Sequence, residues 1–573
     1  MSKKTVAQLV VETLQKAGVK HCYGIVGDTL NYVTDAIHAS DIEWIHVRHE
    51  EVGAFAAGAE AYLTNTLTAC AGSCGPGSLH FINGLFESHR NGAPVVLIAS
   101  QIVTAQLNTD FPQEVDFKAI YNTCSVFCEQ IDNPNEAQKI TALAAQTALN
   151  KKGVAVIILP ADVSQIKVDD NPAIQIYQPS PSITPSDDEL QAISQLLTKG
   201  KKIGIYAGLG CQNAHNELIS LAQKLKAPIA HTSRAKDFVE YDNPYNVGMT
   251  GMFGMESGFH MVKNCDTLLL LGTDFAWSQF YPDKATIIQI DKDASHLGRR
   301  HPITLGAVGD IKATLGKLLP LITEKEDVSF LDQHVQMHVK ATAKLDKKAH
   351  STPSGQIHPQ YLVELLDQYA TEDAAFTADG GSAMVWILRH ITANGKRRTL
   401  TSLKHGTMAN AMPQALGIQK AFPNRQVISL SGDGGLTMLL GDLLTAVQEK
   451  LPIKIVVLNN ASLNFVELEQ KVEGLVNNYT DLQNPDLAKL AEVIGFYGKK
   501  VTHSSELEAA IKEFLAQEGP ALLDVHTSPY ELVMPPQIDK SQVLGMAMYT
   551  IKATLAGRTE DVAGLLIDNF IKK

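Results

Sequence analysis

The sequence predicts an α/β protein: three doubly wound parallel-sheet domains followed by a C-terminal amphipathic tail. Three observations carry that expectation. At 573 residues the chain is longer than one hydrophobic core supports. One rhythm, a β-branched run, a glycine-containing turn and a helical pattern, recurs in three successive sets. The runs are almost continuously apolar, as in strands covered by helices on both faces.

The first set spans 1–182. Its strands are read in HCYGIVGD (21–28), LTACAGSCGPG (67–77), APVVLIAS (93–100) and GVAVIILPADV (153–163). Val6, Leu9, Val10, Leu14 and Ala17 follow helical spacing, so the amino terminus is an amphipathic helix rather than a signal peptide. A Pro- and Ser-rich linker covers 171–190, and Thr184-Pro185-Ser186 before acidic residues marks the next helix start. The second set spans 183–335, with strands in 201–210, 227–233, 266–275 and 285–291. A polar helical connection runs from about 325 to 357, inside the boundary with the third set, 336–530. That set has strands in 374–381, 426–435, 451–460 and 520–528. The tail is 531–573.

Composition narrows the function classes. A diffuse formal charge of -12 without a basic block argues against a nucleic-acid partner. No apolar run approaches the roughly 18–20 residues that cross a bilayer. The expected location is therefore cytoplasmic, or on a membrane surface. The seven cysteines lack zinc-site spacing and read as plain thiols in a reducing compartment.

In doubly wound sheets ligands bind beyond the carboxyl ends of strands. QVISLS ends in Gly432-Asp433-Gly434-Gly435, and IKIVVL ends in Asn459-Asn460. If those strands are neighbours, a carboxylate and an amide oxygen converge, which suits magnesium sharing its shell with phosphate oxygens. The glycines let backbone approach a diphosphate. Gly-Asp-Gly alone is as readily a tight turn, and Glu50 alone a solvated acid at a helix start. The combination of motifs makes the chemical reading.

The pairing of Gly432-Asp433-Gly434 with Asn459-Asn460 resembles the cofactor motif of thiamin-diphosphate enzymes. The resemblance implies Asp433, Asn460 and the backbone oxygen of Ser462 as Mg2+ ligands. It implies Gly434, Gly435, Leu463, Asn464, Phe465 and Val466 as cofactor contacts, with Glu467 in the same pocket. Arg48–Gly58 resembles the family's pyrimidine-binding segment, with Glu50 as the acid that activates the pyrimidine ring so that the cofactor's own amino group removes the thiazolium proton. Gly406-Thr407-Met408 would prop the bent cofactor. The two halves of each site would come from different subunits, making a homodimer the minimum and a homotetramer the expected assembly.

Longer segments narrow the resemblance. AGSCGPGSLHFINGLFESHRNGAPVVLIA, EYDNPYNVGMTGM, HGTMANAMPQALG and MPPQI are similar to bacterial pyruvate oxidases, nearest the flavin-containing, quinone-reducing type that docks on the inner membrane face. This implies FAD in the middle domain, at Gly251-Met252-Phe253-Gly254, Asp274 and Asp291, although Gly208-Leu209-Gly210 is only a fragment of a dinucleotide fingerprint. It implies Phe465 in electron transfer to the flavin, and Gln113 and Phe111 at the substrate. Pro112 stands where the family has an aromatic, which leaves the pocket shape and the keto acid open. The expected reaction is oxidation of pyruvate to acetate and carbon dioxide, with electrons passing through FAD to a membrane quinone. A soluble oxygen-using oxidase, an acetolactate-synthase-like ligase and an inactive scaffold stay as alternatives. Thr559-Glu560-Asp561 resembles a helix start, and Val562, Leu565, Leu566, Phe570 and Ile571 form an apolar face before Lys572-Lys573. That helix either lies on an anionic lipid surface or packs on its own subunit.

Overall fold

The computed structural model describes residues 3–171, 173–350, 355–531, 533 and 540–569. Three six-stranded parallel sheets follow one another along the chain, each flanked by helices. The first contains β1 (His21–Gly24), β2 (Glu43–His46), β3 (Thr68–Gly72), β4 (Val95–Gln101), β5 (Phe127–Gln130) and β6 (Val154–Pro160), in the order β2-β1-β3-β4-β6-β5. The second contains β7 (Ile203–Ala207), β8 (Ile229–His231), β9 (Asn246–Met249), β10 (Thr267–Leu271), β11 (Thr286–Asp291) and β12 (Leu305–Val308), in the order β9-β8-β7-β10-β11-β12. The third contains β13 (Ala375–Ala378), β14 (Arg398–Thr401), β15 (Val427–Gly432), β16 (Lys454–Asn459), β17 (Tyr497–Val501) and β18 (Ala521–His526), in the order β14-β13-β15-β16-β18-β17.

The four strands expected in each domain are the four central ones. The six edge strands, β2, β5, β9, β12, β14 and β17, went unread. Central strands are buried throughout, as in Val95–Gln101 and Val154–Pro160. Edge strands such as Glu43–His46 and Phe127–Gln130 carry exposed charges and no long apolar run. Their periodicity is too short to stand out from loop sequence.

Local signals set the other elements. Val6–Lys16 is a helix with Val6, Leu9, Val10 and Leu14 buried, opened by a Thr5–Gln8 capping box. A short strand before it, Lys3–Thr5, pairs with Lys167–Asp169. Ser186 caps the helix Asp187–Lys199 with Glu189 closing the box. The polar connection is the helix Ser329–His350. All seven cysteines are buried free thiols, and no cluster of three or more His, Cys, Asp or Glu among the described residues would hold a metal. Among the described residues no helix is long and apolar enough to cross a membrane.

In each sheet the chain runs outward along one side, then returns to build the other. The switch falls between β1 and β3, between β7 and β10, and between β13 and β15, the places where such sheets take ligands.

The first and third domains pack against each other through α1 (Glu50–Thr64) and the helix Ala411–Ala421. Gly417 makes this approach possible: a Cβ there would overlap the Ala56 carbonyl. Buried polar bonds reinforce the seam, with Ser402 Oγ donating to Glu87 at 2.6 Å and Arg48 N to Asp442 at 2.8 Å. Backbone cannot yield as a side-chain tip can, so Gly417→Ala should cost about 1–3 kcal/mol. Thermal unfolding of the purified protein checks this, and an unchanged melting temperature would contradict the packing.

Candidate active site

Five segments meet at the carboxyl ends of β13, β15 and β16. Asp379-Gly380-Gly381 follows β13 and opens α2 (Ser382–His390). Gly381 has φ +128°, a conformation open to glycine, and a side chain at Gly380 would overlap the Thr407 carbonyl. That contact brings Gly406-Thr407-Met408 beside β13. Gly406, at φ +77°, faces open space. Asp433-Gly434-Gly435 opens the short helix Asp433–Met438 after β15. A Cβ at Gly434 would lie 2.7 Å from Leu463, 3.2 Å from Leu482 and 3.5 Å from Met408. A Cβ at Gly435 would overlap the Asp379 carboxylate.

β15 and β16 are adjacent, with Gly432 opposite Leu458. The two strands are therefore neighbours, as expected, and Asn484 links Asp433 to Asn459. Asn484 Nδ2 donates to Asp433 Oδ2 at 2.7 Å and to Asn459 Oδ1 at 3.1 Å. Asn460 Oδ1 instead accepts from Ser462 N at 3.1 Å. Ser462 is buried and its hydroxyl donates to Glu467 at 2.5 Å. Asn484 was not singled out from sequence; a lone asparagine in a loop carries no period or spacing.

Burial pushes the Asp433 carboxyl upward, against the lowering pull of the Asn484 hydrogen bond. Asp379 is fully enclosed. Its Oδ1 accepts from Ala411 N at 2.9 Å, while Oδ2 is buried without a hydrogen-bond partner among the described residues. Burial pushes this carboxyl up to about 7.

Glu50 is the first residue of α1 and is 7% exposed. Its Oε2 is 2.9 Å from His80 Nδ1, and His80 stacks on His49 at 4.9 Å. The neighbouring Glu51 accepts from Asn83, whose amide also reaches Thr407 Oγ1 at 3.1 Å. Within one chain Glu50 bonds to His80, and Asp433 to Gly434 and Asn484. No residue is common to the two sets. Gln113 has φ +70° and its Oε1 accepts from Cys74 Sγ at 3.2 Å. It follows Pro112, which restrains the preceding residue. Phe111 is 39% exposed and its amide is held by Glu114.

In the middle domain the switch point lies at Gly208, where a side chain would overlap the Gly272 carbonyl. Thr273 Oγ1 beside it, and Thr250 Oγ1 after the edge strand β9, are buried without hydrogen-bond partners among the described residues. Gly251, at φ +111°, lies under the Phe275 ring, and Met252 is exposed. Gly254 N turns back to the Gly251 carbonyl at 2.9 Å. Asp274 pairs with Arg299 and Arg300. Burial opposes ionisation of Asp274, but the two guanidiniums hold its carboxyl below the usual range. Asp291, ending β11, accepts from Asp293 N at 3.0 Å and lies 3.2 Å from His296 Nδ1. Orphaned hydroxyls at two strand ends, a glycine cradle and a strand-end acid fit a polar dinucleotide cofactor.

The two sites touch. Phe253 meets Phe465 edge-to-face at 6.2 Å, and the Phe253 carbonyl accepts from Arg389 Nε at 3.1 Å. Phe465 and Val466 lie on α3 (Asn464–Val472), and Asn464 Nδ2 donates to the Pro529 carbonyl.

Comparison with known proteins shows the family. Residues 4–120 match the N-terminal thiamine pyrophosphate (TPP) binding domain of thiamine pyrophosphate enzymes, 190–318 the central domain and 379–525 the C-terminal TPP binding domain. The chain belongs to the thiamine pyrophosphate enzyme family. It is 35% identical over 559 residues to a putative thiamine pyrophosphate-containing protein, YdaP, of Bacillus subtilis, covering 96% of each chain. It is 29% identical over 527 residues to a pyruvate oxidase of Lactiplantibacillus plantarum, covering 90% of this chain and 87% of that one. It is 29% identical over 553 residues to the acetolactate synthase isozyme 2 large subunit of Escherichia coli, covering 94% and 99%.

The enclosed Asp379 yields a pH prediction. Its folded value, about 7, lies above the ordinary 3.8, so the native state holds this proton more tightly than the unfolded chain. Its contribution to stability is complete below 3.8 and is lost as the pH climbs through 7. Asp379→Asn, lacking the charge, should therefore gain on the wild type as pH rises. Melting temperatures of the cofactor-free proteins at about pH 5 and about pH 8 check the sign, and a gain confined to acid would refute it.

Proposed function

We propose that this thiamin-diphosphate-dependent enzyme oxidises pyruvate to acetate and carbon dioxide, passing two electrons through FAD to a membrane quinone. Pyruvate and water then yield acetate, carbon dioxide, two protons and two electrons. The observation that carries this reading is the Phe253–Phe465 contact, which joins the candidate flavin loop to the helix beside the diphosphate cradle. A ligase would have no need of a route between them.

When bound, thiamin diphosphate supplies the carbanion that takes up a 2-keto carbonyl and lets carbon dioxide leave. FAD, when bound, accepts the electron pair. Asp433, Asn460 and the Ser462 carbonyl are the residues that would hold Mg2+ against the diphosphate. Gly434 and Gly435 let their loop close on Leu463 and on the Asp379 carboxylate, and Met408 and Leu463 wall the space above Gly434. Glu50, backed by His80, would hold a proton at the pyrimidine ring. Gln113 and Phe111 would face the keto acid. Thr250, Thr273 and Asp291 supply hydroxyl and carboxylate groups for the flavin's polar half.

A site completed by a second copy, and hence a dimer or tetramer, is part of this reading. The tail supports a surface role in an altered form. Helix Thr559–Asn569 packs on its own chain: Leu565 is buried, Gly564 lies against the Tyr530 ring and Asn569 donates to the Tyr530 carbonyl at 2.8 Å. Phe570, Ile571 and the final lysines lie outside the described residues. The exposed apolar stripe belongs to the preceding helix, Lys540–Leu555, where Leu544, Met548, Ile551 and Leu555 share one face.

Purified protein with thiamin diphosphate, Mg2+ and pyruvate should bleach its flavin absorbance and return it on adding a quinone analogue. Acetolactate in place of acetate, with no bleaching, would favour the ligase. Glu50→Gln should slow bleaching by about a hundredfold or more, measured by stopped flow. In the second experiment the full chain should float with anionic liposomes in the presence of pyruvate. Flotation equal to that of a version lacking residues 540–573 would leave the exposed stripe without the proposed role.

A further inference from the structure

Asn484 is the residue that touches both arms of the metal motif. Its single nitrogen spends one hydrogen on Asp433 Oδ2 and the other on Asn459 Oδ1, at 2.7 and 3.1 Å. The other Asp433 oxygen accepts from Gly434 N at 3.0 Å. Each carboxylate oxygen thus accepts a bond, which fixes the plane of the group.

The chain of contacts continues away from the cofactor cradle. Asn459 Nδ2 donates to Asp524 Oδ1 at 2.9 Å. Asp524 is fully buried on the neighbouring strand β18, and its Oδ2 lies 3.6 Å from His526 Nε2. His526 opens on a crevice of about 260 Å3 that also borders Asn459, Asn460, Asn484 and Lys500. Asn484 itself is carried by a segment stitched to the metal loop. Leu482 N donates to the Ala461 carbonyl and Leu463 N to the Thr480 carbonyl, both at 2.8 Å.

We propose that Asn484 is a positioning residue for the metal ligand Asp433, anchored through Asn459 to Asp524 in the sheet. The inference rests on the magnesium reading above. Magnesium tolerates little departure from octahedral geometry, so a ligand carboxylate held before the ion arrives binds it more tightly. A solvent-exposed Asp433 would have no such hold. The amide is suited to the task because it donates without adding charge, whereas a carboxylate in its place would repel Asp433.

The test uses full-length protein saturated with thiamin diphosphate and titrated with Mg2+. Binding is read by calorimetry. Asn484→Ala should weaken Mg2+ by about tenfold or more, with melting temperature of the apo protein unchanged. Asp524→Ala should weaken it less, and Asp524→Asn, which keeps an acceptor for Asn459, should restore wild-type affinity. The double variant Asn484→Ala with Asp524→Ala should bind no worse than Asn484→Ala alone, because the connection is already cut. Wild-type Mg2+ affinity in Asn484→Ala, or fully additive losses, overturns the proposal alone. A wild type that binds thiamin diphosphate equally well without Mg2+ overturns the magnesium reading and this inference with it.

Discussion

No side chain fits at residue 435, because its first carbon would overlap the carboxylate of Asp379. That close approach lets the loops after β13 and β15 share one small volume, and the diphosphate end of the site depends on it. The same demand recurs one layer out, where Gly380 must clear the Thr407 carbonyl and Gly434 must clear Leu463. Three backbone segments distant in sequence are thereby drawn close enough to line one ligand. The middle domain repeats the device with Gly208 against Gly272. Parallel sheets covered on both faces leave few other places for chemistry.

The acid at the base of this cradle carries a cost. Asp379 has one oxygen bonded to a backbone amide and the other enclosed beside Gly435. Such a group is disfavoured as an ion and is held in place by the fold around it. Asp433, equally buried but hydrogen-bonded at both oxygens by Gly434 N and Asn484, is the better candidate to carry charge toward a cation. Two aspartates at neighbouring strand ends therefore sit in different environments, set by hydrogen-bond partners rather than by residue type.

The central strands were legible because burial on both faces demands unbroken apolar runs, as in GVAVIILP and DTLLLLG. Gly-Asp-Gly and Asn-Asn were legible because glycine and oxygen ligands at strand ends are needed together. The tail helix start and the Ser186 cap were legible from capping chemistry. Three things were not. The link from Asp433 to Asn459 runs through Asn484, a residue that no spacing rule connects to either. The Phe253–Phe465 contact joins positions in different domains, and nothing local marks it. The packing of Thr559–Asn569 on Tyr530 depends on a glycine meeting a ring, which an apolar periodicity does not specify.

The six outermost strands have a further effect on how copies of this chain meet. Five are four residues long and the sixth is five, and several carry charges, as in Glu43 of β2 and Lys499-Lys500 of β17. Short, charged margins make poor templates for backbone pairing with a second molecule. Assembly is thus steered toward side-chain contacts between helices and loops, and away from continuous intermolecular β-structure. A large multidomain chain that exposes such surfaces while folding is spared one common route to aggregation.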